Sequence, residues 1–436
     1  MESRGHIAGV RAQATRCFFS LIDQDKQFVF EYKSDEDKKL CSELCLETYV
    51  KVTADPATHP KRGTVEWHVT SLVIISKADS DFLSLMPEEA SEELTRERRG
   101  LFLRTDRGRL IVTLHSKLLQ AIREACYAES MIEVTPSSFA RSCEGGSDLF
   151  KVKDYPGLED QEVCLTQSSQ FALEVVLAGC KKPTFCISPS FRAEKSHTRR
   201  HLTEFLHFEV EWPDVTTIEE HIHHLSTITL TICKNFQRLA HQELIKFECL
   251  KRVQKICTGK SCTLSHHDAI DYLRKQGITK DDKEGGTEYQ YEDDIPERHE
   301  RKIIDMIAVE RDVTLVYLTH FPLATKSFYM KTDPTDSFYS LSVDVEAPAV
   351  DGTGGVGEII GSGIRENNYD ELVRKIKDRG LKVEDFTAIL ETRKYGHMNT
   401  SGFGLGVDRF LCWLLGIEHI RDVVTFPSHA GHVSFV

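Results

Sequence analysis

Three segments of this chain concentrate arginine, acidic and glycine residues in patterns that suit the binding of a polyphosphate. Residues 191–205 read FRAEKSHTRRHLTEF, residues 402–409 read GFGLGVDR, and residues 133–136, far upstream, read EVTP. A guanidinium offers a fixed fork of donors that matches phosphate oxygens, so arginines on neighbouring strands predict a phosphate-binding cleft. Each arginine taken alone would more often belong to a surface ion pair. The prediction therefore depends on the three segments together.

Together these segments resemble the sequence motifs of the class II aminoacyl-tRNA synthetases, and within that class the aspartyl, asparaginyl and lysyl subgroup. The run FRAExSxTxRHLxEF is the most specific part of the resemblance, which covers nearly the whole chain. It implies an α+β fold, in which an N-terminal OB-type β-barrel precedes a class II synthetase catalytic domain built on an antiparallel sheet with flanking helices. It also implies an OB-fold anticodon-binding domain at residues 1–77, a hinge at 78–100 and the catalytic domain at 101–436.

The pattern of the first 77 residues independently favours a barrel. Five short stretches alternate polar and apolar residues, and one helical piece, DEDKKLCSELC, lies among them. This is typical of a small barrel of the OB type, although any small β-barrel or sandwich would share it. The resemblance matches Phe19 to an aromatic residue that stacks on an anticodon base. A glutamine expected further along is replaced near Phe30.

The resemblance assigns seven residues to ATP: Arg192, Glu194, Arg200, His201, Phe205, Glu358 and Arg409. Arg192 is expected to bridge the α-phosphate and the substrate carboxylate, and Glu194 to read the adenine amino group. Phe205 is expected to stack on one face of adenine while Arg409 covers the other face, a cation–π arrangement. Arg192 and Arg409 are thus the expected catalytic residues.

The same resemblance implies a magnesium site beside the triphosphate. Arg200 and His201 are expected near the β- and γ-phosphates, and Asp344 and Glu358 match the magnesium ligands of the subgroup, hard oxygens suited to that ion. The substrate carboxylate attacks the α-phosphate and pyrophosphate leaves, so positioning, arginines and Mg²⁺ supply the catalysis. No nucleophilic serine or cysteine is therefore expected.

Five residues are expected to contact the amino acid: Glu144, Ser168, Gln170, Glu209 and Arg365. Glu144, Ser168 and Gln170 match residues that hold the α-ammonium group in the subgroup. Leu173 stands where aspartyl enzymes place a lysine, although simple core packing would also explain a leucine there.

Glu209 and Arg365 are expected to read the side chain of the amino acid. Glu209 can accept from an amide NH₂ and would repel a carboxylate, whereas Arg365 matches an arginine that contacts the side-chain oxygen. Buried donors and acceptors discriminate strongly between isosteres. These residues predict L-asparagine as substrate and tRNA(Asn) as partner, and segments such as ETRKYG resemble eukaryotic-type asparaginyl enzymes. An aspartyl or nondiscriminating enzyme, or an impaired paralogue that binds tRNA or adenylate, remains an alternative.

Three departures from the family pattern lie near the predicted site. Asn399-Thr400-Ser401-Gly402 stands where the family has Pro-His-Gly-Gly, and Ser428 replaces an expected arginine. A glycine-rich insertion, Asp351-Gly352-Thr353-Gly354, lengthens the loop before Glu358. These departures predict an effect on efficiency.

Composition limits the remaining possibilities. The 436 residues are 40% hydrophobic and 28% charged, without the run of roughly 18 apolar residues that would span a bilayer. The net charge of −13 argues against indiscriminate nucleic-acid binding but leaves room for local basic patches. An odd number of cysteines, 13, and an N-terminus without an apolar h-region predict free thiols and a cytoplasmic protein. The Pro136 segment predicts a homodimer by resemblance.

Two groups of potential metal ligands are interpreted as incidental. His221, His223 and His224 are predicted on a solvated helix face. Cys257, Cys262, His266 and His267 follow no standard zinc spacing. An acidic insertion at residues 281–300 is predicted to be solvated as well.

Overall fold

The computed structural model describes residues 1–59, 63–141, 148–158, 161–195, 198–396 and 398–433. The chain divides into two compact units, Met1–Thr105 and Asp106–Val436. Among the described residues, no helix is both long enough and apolar enough to cross a membrane.

The first unit is built on a closed barrel of five strands, joined in the order β1-β2-β3-β5-β4. The strands are β1 (Glu2–Ala12), β2 (Arg16–Leu21), β3 (Gln27–Glu31), β4 (Tyr49–Thr58) and β5 (Val65–Ser76). Helix α1 (Asp35–Ser42) lies between β3 and β4 and begins at a capping box formed by Ser34 and Asp37. Three short helices follow the barrel: α2 (Phe82–Leu85), α3 (Glu92–Glu97) and α4 (Arg99–Phe102).

Strand alternation builds the barrel core. Along β2, Cys17, Phe19 and Leu21 are buried, whereas Phe18 between them is partly exposed. Successive side chains of a strand point to opposite faces, so the three buried residues face the interior. Phe19 stacks there on Phe28, with ring centroids 5.4 Å apart.

The second unit is built on an eight-stranded sheet, in the order β12-β13-β14-β15-β16-β11-β10-β6. Its strands are β6 (Ile132–Glu133), β10 (Thr184–Phe191), β11 (Glu204–Pro213), β12 (Lys260–Ser265), β13 (Val313–Thr319), β14 (Ser342–Ala347), β15 (Gly357–Ile364) and β16 (Thr400–Gly406). Neighbours are antiparallel except at the two ends, where β12 runs parallel to β13 and β6 runs parallel to β10. A small antiparallel sheet holds β7 (Phe139–Ala140), β8 (Lys151–Val152) and β9 (Val163–Leu165).

Helices flank this sheet. They are α5 (Asp106–Ala128), α6 (Gln170–Cys180), α7 (Ile218–Leu239), α8 (His241–Lys246), α9 (Leu250–Thr258), α10 (His266–Lys275), α11 (Glu297–Arg311), α12 (Tyr369–Asp378), α13 (Thr387–Lys394) and α14 (Val407–Leu415). Three 3₁₀ turns occur at Leu323–Thr325, Val383–Phe386 and Ile420–Asp422. The N-terminal barrel and the antiparallel sheet with flanking helices confirm the predicted α+β fold class.

The main core lies between one face of the sheet and α5, α7 and α14. Helix α7 begins at a capping box of Thr217 and Glu220, and its apolar residues recur at helical spacing. Leu225, Ile228 and Ile232 of that stripe are buried in the same core as Phe208 of β11. This packing leaves the opposite face of the sheet for polar residues.

The prediction of a solvated histidine face on α7 is wrong for His221, which is fully buried. Its Nδ1 lies 3.0 Å from Ser401 Oγ and its Nε2 2.9 Å from Ser362 Oγ. These hydroxyls stand on the core face of two adjacent strands, β15 and β16. Both ring nitrogens are thereby satisfied, which makes burial of an imidazole tolerable.

The prediction of a solvated insertion at residues 281–300 is wrong in part. Tyr289 and Ile295 are buried in a small satellite core with residues of α10, α11 and β13. The apolar residues that recur within this acidic stretch were the sequence signal that part of it is buried.

Candidate active site

Glycines occupy central positions on the polar face of the sheet. The register sets two pairs of glycines opposite each other, Gly361 with Gly404 and Gly363 with Gly402. A Cβ at Gly402 would lie 2.1 Å from the Glu211 carboxylate, and one at Gly404 would lie 2.4 Å from His207 Nε2. Side chains of β11 therefore occupy the space that these glycines leave, which explains the glycine spacing of GFGLG.

A cavity of about 110 Å³ gathers most of the predicted ATP residues. Its walls include Arg192, Arg200, His201, Phe205, Glu358 and Arg409. Glu194 is partly exposed in the loop after β10 and does not line this cavity.

Inside the first cavity, three arginines are held by defined contacts. The Arg192 guanidinium lies over the Phe205 ring, 5.2 Å from its centroid. Arg409 Nη1 donates to the backbone oxygen of Glu358 at 2.7 Å. Arg200 Nε lies 2.9 Å from Glu297 Oε1 of α11. Three guanidinium groups in one small cavity create a site for a polyanion.

The cationic cavity keeps its histidines neutral. Burial, followed by Arg409, Arg200 and Arg192, lowers the pKa of His201 to about 4. The sequence reading missed His207, which lines this cavity and the next one. Its Nδ1 lies 3.1 Å from Ser190 Oγ, and burial beside Arg192 and Arg409 lowers its pKa to about 3. Strand alternation was the missed signal, since His207 follows Phe205 by two positions on β11.

A second cavity, of about 200 Å³, adjoins the first. Both are lined by Arg192, His207, Glu358 and Gly404. The residues predicted to contact the amino acid line the second cavity: Ser168, Gln170, Glu209 and Arg365. Glu144 lies outside the described residues, and Leu173 is buried in α6.

Glu209 is held at the start of α6. Its Oε1 accepts from Ser168 Oγ, and its Oε2 accepts from the Ser169 N–H at 2.8 Å. Burial raises the pKa of Glu209, while the bonds from Ser168 and Ser169 act in the opposite direction. Among the residues that the structure describes, no arginine or lysine lies within ion-pair distance of this carboxylate, and His207, whose Nδ1 is 3.5 Å away, is neutral.

Arg365, by contrast, is paired through Nε and Nη2 with a carboxylate that the sequence analysis did not assign, Glu211. The shortest of these contacts is 2.5 Å. Arg365 Nη1 lies 3.8 Å from Met330 Sδ. Burial disfavours charge on Arg365, but Glu211 and Glu174 outweigh burial and raise its pKa.

Asp344 and Glu358 line the second cavity from adjacent strands. Lys326, which the sequence reading missed, donates from Nζ to Asp344 Oδ2 at 2.5 Å. Burial raises the pKa of Asp344 to about 6, with Lys326 opposing the rise and Glu358 adding to it. Among the described residues no three histidine, cysteine, aspartate or glutamate side chains form a metal cluster. The carboxylates of Asp344, which is buried, and Glu358, which is partly buried, fit Mg²⁺, which takes few protein ligands and completes its shell with phosphates and water.

A further carboxylate lies beside this pair. Glu346 is the cross-strand partner of Glu358 and is fully buried, and neither carboxylate oxygen has a hydrogen-bond partner in the described part of the chain. Burial, with Glu300 and Glu358, raises the pKa of Glu346 well above its usual range. The alternation SVDVEA, which puts Asp344 and Glu346 on one face, was the signal for it.

The model of the family described as tRNA synthetases class II (D, K and N) matches residues 91–430. This chain belongs to that family. Two curated relatives support the assignment. The cytoplasmic asparagine–tRNA ligase of Dictyostelium discoideum is 34% identical over 399 residues, which cover 91% of this chain and 58% of the relative. The asparagine–tRNA ligase of Pyrococcus abyssi is 35% identical over 378 residues, which cover 85% of this chain and 80% of the relative.

Solved structures of the family resemble this class II synthetase along its length. The asparaginyl-tRNA synthetase of Pyrococcus horikoshii, complexed with asparaginyl-adenylate, has a TM-score of 0.86 at 30% identity and covers 100% of this chain and 96% of its own. The asparaginyl-tRNA synthetase of Entamoeba histolytica in complex with asparaginyl-adenylate has a TM-score of 0.86 at 28% identity, with 99% and 96% covered.

The assignment of Phe19 to an anticodon base is corrected by the barrel of this synthetase. Phe19 is 1% exposed, so a base cannot reach its ring. Phe18, one position earlier, faces outward, and the guanidinium groups of Arg11 and Arg16 lie 5.1 and 5.8 Å from its centroid. A shift of one residue along a strand reverses the face, which is the physical reason for the error.

The departures from the family pattern have structural roles. The Ser401 hydroxyl is hydrogen-bonded to His221 Nδ1. The insertion at 351–354 is tied down by Arg252, which donates to the backbone oxygens of Thr353 at 3.0 Å and Gly354 at 3.1 Å. Ser428 accepts the Thr203 N–H at its backbone oxygen at 3.0 Å. Neither the insertion nor Ser428 lines the two cavities.

Proposed function

We propose that this chain is an asparagine–tRNA ligase, which activates L-asparagine with ATP and transfers it to tRNA(Asn). The observation that carries the proposal is the charge of the second cavity. Glu211 neutralises Arg365, whereas Glu209 keeps a carboxylate beside Ser168 that no cation pairs in the described structure. A neutral amide fits this balance, because its NH₂ can donate to Glu209 and its oxygen can face Arg365. A second carboxylate would be repelled.

The first reaction step needs two substrates at one junction. ATP occupies the first cavity, with its phosphates among Arg192, Arg200 and Arg409, and asparagine occupies the second. Arg192 lines both cavities, so it can neutralise the α-phosphate and orient the attacking carboxylate. Such positioning and charge neutralisation supply catalysis without a protein nucleophile.

Mg²⁺ would be held by Asp344 and Glu358, and it would neutralise charge on the phosphates. Lys326 already neutralises part of the negative charge on this carboxylate pair. His201 and His207 stay neutral, so their nitrogens act as hydrogen-bonding groups rather than as cations near the phosphates.

The tRNA partner is proposed to contact the barrel through Phe18. A partly exposed aromatic ring flanked by Arg11 and Arg16 offers a stacking surface and phosphate-binding charge together. Because the chain carries a net charge of −13, RNA is expected to bind at a local basic patch, and this group of Phe18, Arg11 and Arg16 is such a patch on the barrel.

A homodimer is proposed at the Pro136 segment. Val134 and Pro136 line an apolar groove of about 450 Å³ together with Phe171 and Val175 of α6 and Ile389 of α13. Val175 is 38% exposed, and an apolar groove of this kind suits burial against a second copy. Cytoplasmic location is proposed from the Dictyostelium discoideum relative, which is named cytoplasmic, and from the twelve described cysteines, which are free thiols.

The deciding experiment is exchange of pyrophosphate into ATP, measured with asparagine and aspartate separately. Exchange that depends on asparagine and exceeds that with aspartate is expected. Equal or greater exchange with aspartate would contradict the proposal, and absence of exchange with either amino acid would favour the impaired paralogue. Charging of tRNA(Asn) transcript then tests the second step.

A further inference from the structure

A chain of buried polar contacts runs from the second cavity into the helical layer beside it. Gln170, at the start of α6, lines the cavity and donates from Nε2 to Glu174 Oε1 at 2.9 Å. The other oxygen of Glu174 accepts from Arg393 Nη2 of α13. Gln170, Glu174 and Arg393 therefore form one linear relay, one turn of α6 long.

The relay is sealed from solvent. The side chains of Glu174 and Arg393 are both 0% exposed. Arg393 is fixed by two further bonds, from Nε to the Glu366 backbone oxygen at 3.1 Å and from Nη1 to Thr392 Oγ1 at 2.9 Å. Burying such a pair costs more than an apolar contact of the same volume and gains stability only with good geometry. Its presence under a substrate cavity points to a function beyond stability.

The relay dictates which atom Gln170 presents to the cavity. A side-chain amide has one donor end and one acceptor end, and Glu174 accepts only from the donor end. Arg393 keeps Glu174 an acceptor, because a buried carboxylate bonded to a guanidinium stays ionised. The acceptor end of Gln170, Oε1, is consequently left for the cavity. Such an atom binds an ammonium group and not a carboxylate.

We propose that Glu174 and Arg393 are positioning residues that lock the Gln170 amide with its oxygen toward the α-ammonium of the amino acid. This inference rests on the proposed function and extends it to the α-amino end of the substrate. Glu174 and Arg393 lie between α6 and α13 and do not touch the substrate. They would affect amino-acid binding only through the orientation of Gln170. Gln170 itself makes the contact.

Replacing Glu174 with glutamine tests the orientation directly. Arg393 requires an acceptor, so the oxygen of a glutamine at position 174 turns toward Arg393 and its NH₂ turns toward Gln170. Gln170 then accepts with Oε1 and presents its own NH₂ to the cavity. Asparagine loses an acceptor for its ammonium, whereas succinamate, which is asparagine without the amino group, loses nothing.

The measurement compares the KM for asparagine with the inhibition constant for succinamate in the exchange reaction. In Glu174→Gln the KM for asparagine is expected to rise about tenfold or more, while the succinamate constant and the KM for ATP stay within about twofold of wild type. The double variant Glu174→Gln with Arg393→Met removes the demand for an acceptor and should recover part of the preference for asparagine. A merely structural pair would not show this rescue.

Glu243→Gln is the matched control, because Glu243 of α8 forms another ion pair, partly buried, with Lys117 Nζ at 2.7 Å, and lines neither cavity. It is expected to lower the melting temperature without changing the ratio of the two constants. If Glu174→Gln does not fold, Glu174→Asp retains the charge but withdraws the carboxylate from Gln170, and should likewise raise the ratio of the KM for asparagine to the inhibition constant for succinamate. Two results would overturn the proposed relay: an unchanged ratio of the KM for asparagine to the inhibition constant for succinamate in a folded variant, or an equal weakening of asparagine and succinamate binding. Wild-type protein without asparagine-dependent exchange would instead overturn the proposed function.

Discussion

Arg365 and Glu211 form an ion pair in which Arg365 Nε lies 3.2 Å from both carboxylate oxygens and Nη2 lies 2.5 Å from Oε1. Their side chains are 3% and 1% exposed, so the two charges cancel within the protein. Arg365 can therefore direct a hydrogen bond without making the amino-acid cavity cationic. Of the two residues predicted to read the side chain of the amino acid, Glu209, two residues before Glu211 on β11, then carries the charge that no arginine or lysine of the described structure pairs.

Removal of the Glu209 charge is expected to weaken discrimination between asparagine and aspartate. In Glu209→Gln the repulsion of a substrate carboxylate disappears, so the ratio of kcat/KM for asparagine to that for aspartate should fall about tenfold or more. The melting temperature should change little, because burying a neutral amide costs less than burying a carboxylate. Pyrophosphate exchange with each amino acid gives the ratio.

The control for this change is Glu219→Gln, which removes an exposed carboxylate from α7. It should leave both the ratio and the melting temperature at wild-type values. Unchanged selectivity in Glu209→Gln would show that another group reads the side chain.

Much of the architecture follows from local patterns that a sequence displays. Alternation predicts β2 and its neighbours, and the segment of His221, His223 and His224 is predicted as a helix, which the structure shows as α7. The resemblance brought Arg192, Phe205 and Arg409 to one place, and the structure gives them a common cavity. These predictions need only short-range order and a recognised motif.

Other features depend on contacts between distant parts of the chain. Glu211 and Arg365 are 154 residues apart, and Glu174 and Arg393 are 219 apart. His221 is buried because Ser362 and Ser401 meet it on adjacent strands. No local pattern specifies such pairings, and the face of a strand is lost by an error of one residue, as Phe18 and Phe19 illustrate.

Arg409 is expected to act on both ATP affinity and turnover. Arg409→Ala removes a guanidinium from the first cavity, so the KM for ATP should rise about tenfold or more and kcat should fall. Arg409→Lys keeps the charge but loses the planar group and should recover only part of the activity. Steady-state exchange kinetics at varied ATP measure both constants.

Arg252→Ala supplies the comparison, because Arg252 also donates to backbone oxygens but lies at the 351–354 insertion, outside both cavities. It should reduce stability and leave the KM for ATP unchanged. If Arg409→Ala gave the same result, Arg409 would be a structural residue and the third motif would lose its catalytic interpretation.

Two buried histidines, His207 and His221, are expected to contribute a loss of stability as the pH is lowered from about 7 to about 5, opposed by buried carboxylates such as Asp344 whose pKa is raised. Burial lowers the pKa of His221 and of His207 to about 3, whereas an unfolded histidine titrates near 6.5. Between these values the unfolded state binds more protons, so acid favours unfolding. Each such histidine contributes about 2 kcal/mol to the loss over this interval.

Urea unfolding at several pH values measures this dependence. His221→Gln can still bond Ser362 or Ser401 but does not titrate, so its stability should fall less between pH 7 and pH 5 than that of wild type. His223→Gln changes a neighbouring histidine of α7 whose side chain is not fully buried, and serves as the control. An identical pH slope in wild type and His221→Gln would contradict the assignment of a neutral, buried imidazole.

The apolar groove beside Pro136 is expected to be a dimer contact. Val175→Glu places a charge on the exposed wall formed by α6, so association should weaken while the fold of the unit persists. Sedimentation velocity should show a dimer for wild type and a larger monomer fraction for the variant at the same concentration. Val309→Glu, which changes a valine that is 83% exposed on α11, should leave the dimer intact.

The effect of dissociation on activity tests whether the dimer contact orders the active site. If dissociation also lowers exchange activity, and high protein concentration restores it, the groove orders the active site through α6, which carries both Gln170 and Val175. If the wild-type protein sedimented as a fully active monomer at the assay concentration, association through this groove would not be needed for activity.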